Sequence, residues 1–338
     1  MSTSDRLHGK LSFADVLWRR KYGFVDYRPG FFVTLGIIVA VIVLPMEGQF
    51  YVYVGALSGI YAIASLGESA LLGHAGVVSL GQGGILGVGA YWTTQLLNHG
   101  VPLIWTLLSA MFIGGLIGVV IGVPSLRLTG HTLALTTLFF ALVVPEIANV
   151  WTSASGGGGG LSLSSGLVSA DTVLYVIGAV LIVIMFLQIR LLNGRFGRAL
   201  RLARDSERAA ASFGISTKAY KVAAFVYAGI LAGLAGGLFA VLTGYVSPSD
   251  FDVWVSVYIV FGAVIGGLRN PAWVILGGLF VGGLPQLVDQ YLGLSSIIFG
   301  VAILLIVIPP RLPIVRRLNR SLVSRGKIRL NNSEVVNP

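Results

Sequence analysis

Apolar runs of 16 to 24 residues succeed one another along most of this 338-residue chain, with only short polar breaks between them. Crossing the roughly 30 Å hydrocarbon layer of a bilayer takes about 20 apolar residues. Only helices and closed barrels satisfy their backbone groups in lipid, and runs of this length are helical. The candidate spans are 31–46, 50–72, 75–97, 101–124, 131–151, 172–189, 222–244, 252–267, 271–288 and 295–310. Just 11% of the residues are charged, against about 25% in soluble domains. The expected fold is therefore all-α, a polytopic transmembrane bundle of about ten segments.

Charge placement sets the expected topology. Of 23 Lys and Arg, six lie in the first 29 residues, eight between positions 190 and 221, and seven from position 311 onward. The positive-inside rule assigns these clusters to the cytoplasm. Six spans separate the first cluster from the second and four the second from the third, so both termini fall inside. Arg127 and Arg269 follow even-numbered spans and fall inside too, whereas Glu47, Asp171, Asp250, Asp252 and Asp289 fall outside. The expected organisation is a juxtamembrane arm (1–30), six segments (31–189), a cytoplasmic connector (190–221), four segments (222–310) and a basic tail (311–338). A net charge of +10 is accounted for by loop orientation, which leaves no call for nucleic acid; lipid is the expected surrounding. Without cysteine, neither disulfides nor thiolate metal sites arise.

Glycine supplies the next constraint, with 46 residues. Gly114, Gly118 and Gly122 recur at intervals of four, as do Gly229, Gly233 and Gly237, Gly262 and Gly266, and Gly278 and Gly282. Such stripes let helix backbones approach closely. Residues 73–89 and 262–283 are denser in glycine than plain helices, and broken helices at membrane depth must be buried in protein or line a cavity. Gly156–Gly160 belong to an outward loop. No phosphate-binding GxxxxGK[ST] occurs in the sequence, so the chain has no nucleotide site of that kind.

The connector reads RFGRALRLARDSERAAASFG over 195–214. Ala199, Leu202, Ala203, Ser206, Ala210 and Phe213 repeat at helical spacing and predict one amphipathic helix. Arg201 and Asp205 are spaced to pair, and Gly214 stands at the C-cap. An alanine-rich face suits docking on protein as well as it suits lying on a membrane surface.

GRALRLARDSERAAASFGI (197–215), with Lys221 and Ala224–Phe225 after it, resembles the coupling segment of branched-chain amino acid-class permeases of ABC importers. GHAGVVSLGQGGILGVGAY (73–91) is similar to that family's GxxGxxSLGxxxFxGxGAY. Further matches run in order from about residue 60 to 285. The resemblance implies a second homologous permease subunit, two cytoplasmic ATPases carrying ATP and Mg²⁺, and an external substrate-binding protein, with no cofactor in this chain. It implies residence in the bacterial inner membrane. Arg198, Arg201, Arg204, Asp205, Glu207, Ala210 and Gly214 would then couple the chain to an ATPase.

The resemblance has gaps. Leu142 and Pro145 stand where the family usually has Glu and Arg, and Tyr258 where it has Glu. Gln82 and Ile85 replace a histidine and a phenylalanine. The cargo expected is a branched-chain amino acid or, since acids suited to an ammonium group are lost, a urea- or amide-like solute. Ser79, Gln82, Thr136, Thr137, Glu146 and Tyr258 are the candidate pathway residues. Glu68, near the inner end of the second span, fits a packing hydrogen bond or a pathway role. The rival reading is a self-sufficient secondary transporter or channel. That requires coupling-ion ligands at the midplane, and the spans offer few acids.

Overall fold

The structure is a computed structural model; it describes residues 28–128, 130–163, 169–289 and 300. Eight helices among them are long and apolar enough to cross a membrane. Residues 1–27 of the N-terminal arm, the expected tenth span apart from residue 300, and the basic tail lie outside the described residues. The chain divides into a compact unit ending at Gly283 and a smaller one from Leu284. Of the smaller unit, 284–289 and 300 are described, the former as the final residues of the last helix.

Helix α1 covers Arg28–Glu47. α2 (Gln49–Glu68) passes directly into a wider π-helical stretch at Ser69–Ala75. After an unwound segment come α3 (Gln82–Asn98), α4 (Leu103–Ser125) and α5 (Gly130–Val150). A short turn, α6 (Thr152–Ser155), opens the glycine loop, and Gly157–Gly159 form a 3₁₀ turn. α7 (Ala170–Asn193) leads to the connector helices α8 (Arg195–Asp205) and α9 (Glu207–Ser212). α10 spans Thr217–Thr243, α11 Val253–Ile265 and α12 Pro271–Asp289. Strand β1 (Leu161–Ser162) pairs antiparallel with β2 (Tyr245–Val246), joining the glycine loop to the chain after α10.

α2 and α10 are the central helices, each 72% buried over its most apolar stretch, whereas α1 is 17% buried there. The glycine stripes explain the centre. A Cβ on Gly114 would meet the Gly229 carbonyl at 2.2 Å, and one on Gly229 would meet the Gly114 carbonyl at 2.2 Å. The stripes of α4 and α10 thus face each other. Gly233 and Gly236 bring α3 equally close to α10, at Gly89 and Leu86, and Gly278 seats α12 on Ala62 of α2. Contacts this close supply the packing that holds helices together in lipid.

Two expected spans differ from plain helices. The third begins seven residues later than its apolar run, because residues 76–81 are unwound. The eighth is a 13-residue helix preceded by the 3₁₀ turn Pro248–Phe251, held by a capping box between Ser247 and Asp250.

Candidate functional site

The unwound stretch is where polar side chains gather inside the bundle. Its cause lies in α2. Ser69 donates its hydroxyl to the Leu66 carbonyl at 2.7 Å, and the Gln188 amide of α7 reaches both that carbonyl and the Ser69 hydroxyl at 3.0 Å. Side chains inserted into the helical ladder widen it into a π turn, a form found often at functional sites. Gly76 ends the turn with φ +72°, and Val77 N–H returns to the Leu71 carbonyl.

Unwinding leaves backbone amides that must find partners away from water. Three elements provide them. Ser79 N–H donates to Glu68 Oε1 of α2 at 3.2 Å, Leu80 N–H to Thr137 Oγ1 of α5 at 2.9 Å, and Gly83 N–H to Ser256 Oγ of α11 at 2.9 Å. Ser79 Oγ accepts from Gly81 N–H at 3.4 Å. Glu68, Gln82, Thr137 and Ser256 are fully buried and Ser79 nearly so. Gln82 opens α3 beside the Glu68 carboxyl.

Of the pathway candidates, the structure brings together Ser79, Gln82 and Thr137. Thr136 sits on the exposed face of α5, bonded to the Thr132 carbonyl at 2.9 Å. Glu146, exposed on the same helix, borders a crevice of about 300 Å³ with Asn149, Gly158, Ser249 and Asp252. Tyr258 meets Tyr61 edge-on at 6.5 Å. Ser256 was not among the candidates, and Glu68 had two open roles; the structure puts both at the break.

The connector docks onto this same region. The Arg204 guanidinium donates to the Gly73 carbonyl, and its stem lies over Gly76, where a Cβ would meet Arg204 Cγ at 2.7 Å. The Gly266–Asn270 turn between α11 and α12 closes on the same point, its Leu268 carbonyl abutting Gly73. Leu268 has φ +63°, a strained conformation for a residue with a Cβ. A cavity of about 450 Å³ opens beside Arg204, lined also by Gly76, Val78, His131, Glu207 and Lys221.

The single helix expected over 195–214 is two. Ser206 adopts extended backbone (φ −160°) and caps α9, its hydroxyl accepting from Ala209 N–H at 3.2 Å. The predicted apolar stripe is accordingly split: Ala199, Ala203 and Ala210 are buried, whereas Phe213 is 74% exposed. Gly214 takes the left-handed cap position (φ +70°), with Gly214 N–H bonded to Ala211 and Ile215 N–H to Ala210. Glu207 pairs with Lys221 at 2.5 Å, and Arg198 donates to the Asn193 carbonyl at 2.8 Å. Burial, and then the charges of Arg198 and Arg269, pull the Arg201 guanidinium below its usual pKa. Among the described residues no group of His, Cys, Asp and Glu could hold a metal.

Residues 50–308 match the family described as branched-chain amino acid transport system / permease component. The chain belongs to that family. The high-affinity branched-chain amino acid transport system permease protein LivM of Escherichia coli is 32% identical over 308 residues, covering 80% of this chain and 72% of that protein. LivH of Salmonella typhimurium is 23% identical over 283 residues, covering 75% and 91%. A probable LivM of Methanocaldococcus jannaschii is 26% identical over 303 residues. The chain is thus a transport permease subunit of an ABC system, a multi-pass protein of the bacterial inner membrane. That two kinds of permease protein, LivM and LivH, both match it accords with a second permease subunit in such a system.

Proposed function

We propose that the chain forms one half of an import pathway and that α8–α9 is the handle by which a separate cytoplasmic ATPase, carrying ATP and Mg²⁺, moves it. An external binding protein delivers the cargo. The relatives named as branched-chain amino acid permeases and the family match support a branched-chain amino acid as cargo, with a urea- or amide-like solute as the variant suggested by the lost acids.

The observation that carries this reading is the Arg204–Gly73 contact. α8 grips the end of α2 at the residues where the helix widens and breaks. A displacement of α8 is thereby passed to the segment that separates Glu68 from Gln82. A ligand shifts a conformational equilibrium only through contacts that differ between states, so the ATPase must hold α8–α9 differently in each. Phe213, exposed at the tip of α9, is a suitable apolar anchor, and Arg198, Arg201, Asp205 and Glu207 supply charge around it.

The exposed face of α5 is assigned to the pathway and to the second permease. Ionisable groups within spans face a bundle interior or a water-filled cavity, and Glu146 lies on that face with Thr136 and Asn149. Positive-inside orientation puts α8–α9 in the cytoplasm and the Glu146–Asp252 crevice outside.

Arg204→Ala tests the coupling. In the reconstituted complex of both permeases, ATPases and binding protein, ATP hydrolysis should persist while solute uptake falls about tenfold, as expected for loss of one charge-assisted bond. Uptake and hydrolysis that both remain at wild-type level would remove the proposed role of α8.

A further inference from the structure

The cytoplasmic cavity beside Arg204 holds chemistry that the coupling of α8 to an ATPase does not use. About 450 Å³ opens between the unwound segment, the α4–α5 turn, the connector helices and the start of α10, a volume in the range of pockets that hold small molecules. The unwound segment and the chain entering α5 contribute Val78, Leu128 and Leu133 to its walls. The connector and α10 contribute Arg204, Glu207 and Lys221. Among the described residues no Phe, Tyr or Trp lines the cavity, so it lacks the aromatic platform on which bases stack.

The charges on these walls do not cancel. Lys221 and Glu207 form an ion pair at 2.5 Å, which matches one cation to the one acid that lines the cavity. Arg204, exposed there, is the extra positive charge. A guanidinium carries five N–H groups in a planar fork that fits a carboxylate, and Arg204 gives one nitrogen, Nη1, to the Gly73 carbonyl. An inorganic anion would satisfy the fork and leave the apolar wall against water. A hydrocarbon chain would cover the wall and leave the Arg204 charge unmatched. A small aliphatic carboxylate answers both.

We propose that this cavity is a cytoplasmic control site for a small aliphatic carboxylate. The Arg204 guanidinium and the Lys221 ammonium donate to its carboxylate, and its hydrocarbon body covers Val78, Leu128 and Leu133. An aliphatic amino acid accumulated in the cell and its 2-oxo acid both present this chemistry. The ligand lies between the handle and the helix break, and so holds Arg204 against the present arrangement of residues 75–78. A ligand that prefers one state shifts the population toward it, and a transporter held in one state turns over slowly. The site stands on the cavity alone; its inhibitory effect rests on the permease reading above.

The test uses two probes, leucine and 4-methyl-2-oxopentanoate. Binding of each labelled probe to the purified full chain is measured by equilibrium dialysis. ATP hydrolysis is measured in proteoliposomes of the complete complex, with the ATPases outward, the binding protein sealed inside and the probe added at the cytoplasmic face. At least one probe should bind and should lower hydrolysis about twofold or more. Lys221→Met should raise the half-inhibiting concentration about tenfold, as expected for loss of one charge-assisted bond. Ala134→Phe, which fills the cavity from α5, should abolish binding and inhibition while uninhibited hydrolysis stays at the wild-type level. If Ala134→Phe fails to assemble, the Lys221→Met shift decides alone. Equal effects of the two probes assign recognition to the carboxylate and hydrocarbon; an effect of leucine alone adds Glu207 as partner of its ammonium, and an effect of the oxo acid alone removes the ammonium from the ligand. Failure of the wild-type chain to bind either probe overturns the site, as does binding that Lys221→Met and Ala134→Phe both retain. Binding without inhibition overturns the control role. A wild-type complex whose hydrolysis the binding protein does not stimulate would count against the permease reading instead, and dialysis would still decide the site.

Discussion

The break depends on single residues whose requirements are steric. Gly76 sits at φ +72° with the Arg204 stem against its α-carbon. Alanine there has to adopt a left-handed conformation, costing about 1 kcal/mol or more, and has to displace the Arg204 side chain, which hydrogen-bonds the Gly73 carbonyl at the end of α2. Gly76→Ala should therefore lower both the melting temperature and uptake, and Gly76→Ala with Arg204→Ala should be less than additive, since both remove one contact. Additive losses in the double mutant would show that the two residues act separately. Much at this scale was legible in the sequence. The glycine density of 73–89 set that stretch apart from plain helices, and Ser79, Gln82 and Thr137 were among the candidate pathway residues. Ser256 was not legible as a member, because it is 173 positions from the amide it caps and no local pattern encodes such a pairing. Glu68 was visible as an acid in a span, but its role depended on the π turn that aims it at Ser79.

At the scale of the element, the connector shows why a correct periodicity can still misplace a side chain. The spacing from Ala199 to Phe213 fits a continuous helix, and Ala199, Ala203 and Ala210 are indeed buried. Ser206, however, offers its hydroxyl to Ala209 N–H and becomes an N-cap. Serine competes with helical backbone through such local bonds, and an interior stripe position became a boundary. The consequence is that Phe213 turns outward at the tip of α9. Phe213→Ala should leave folding of the chain unchanged and reduce the amount of ATPase that copurifies with it, because buried aromatic anchors dominate binding energy. Undiminished copurification would place the ATPase elsewhere on the connector. Ser206→Ala should act differently, loosening α9 at a cost of about 1 kcal/mol, seen as faster proteolysis of the connector.

At the scale of the whole molecule, the question is which end faces which compartment. The structure groups Arg198, Arg201 and Arg269 within electrostatic reach of one another and groups Glu146 with Asp252 and the glycine loop. Those residues come from separate parts of the chain, so the segregation of charge survives folding. Its orientation rests on basic loops being retained in the cytoplasm. The chain contains no cysteine, which makes the orientation directly measurable, since any introduced thiol is the only one in the protein. Ser153 lies exposed in α6 beside the glycine loop and Ser212 exposed at the end of α9. In intact spheroplasts a membrane-impermeant maleimide should label Ser153→Cys, whereas Ser212→Cys should be labelled only after the membrane is opened. Two spans or any other even number between those positions would give the same labelling on both, and the reverse pattern would put α8–α9 outside the cell. Labelling of Ser212→Cys in intact spheroplasts, in either of those patterns, would separate Arg204 from any cytoplasmic motor. The labelling therefore bears on coupling as directly as any kinetic assay, and it does so without knowledge of the cargo.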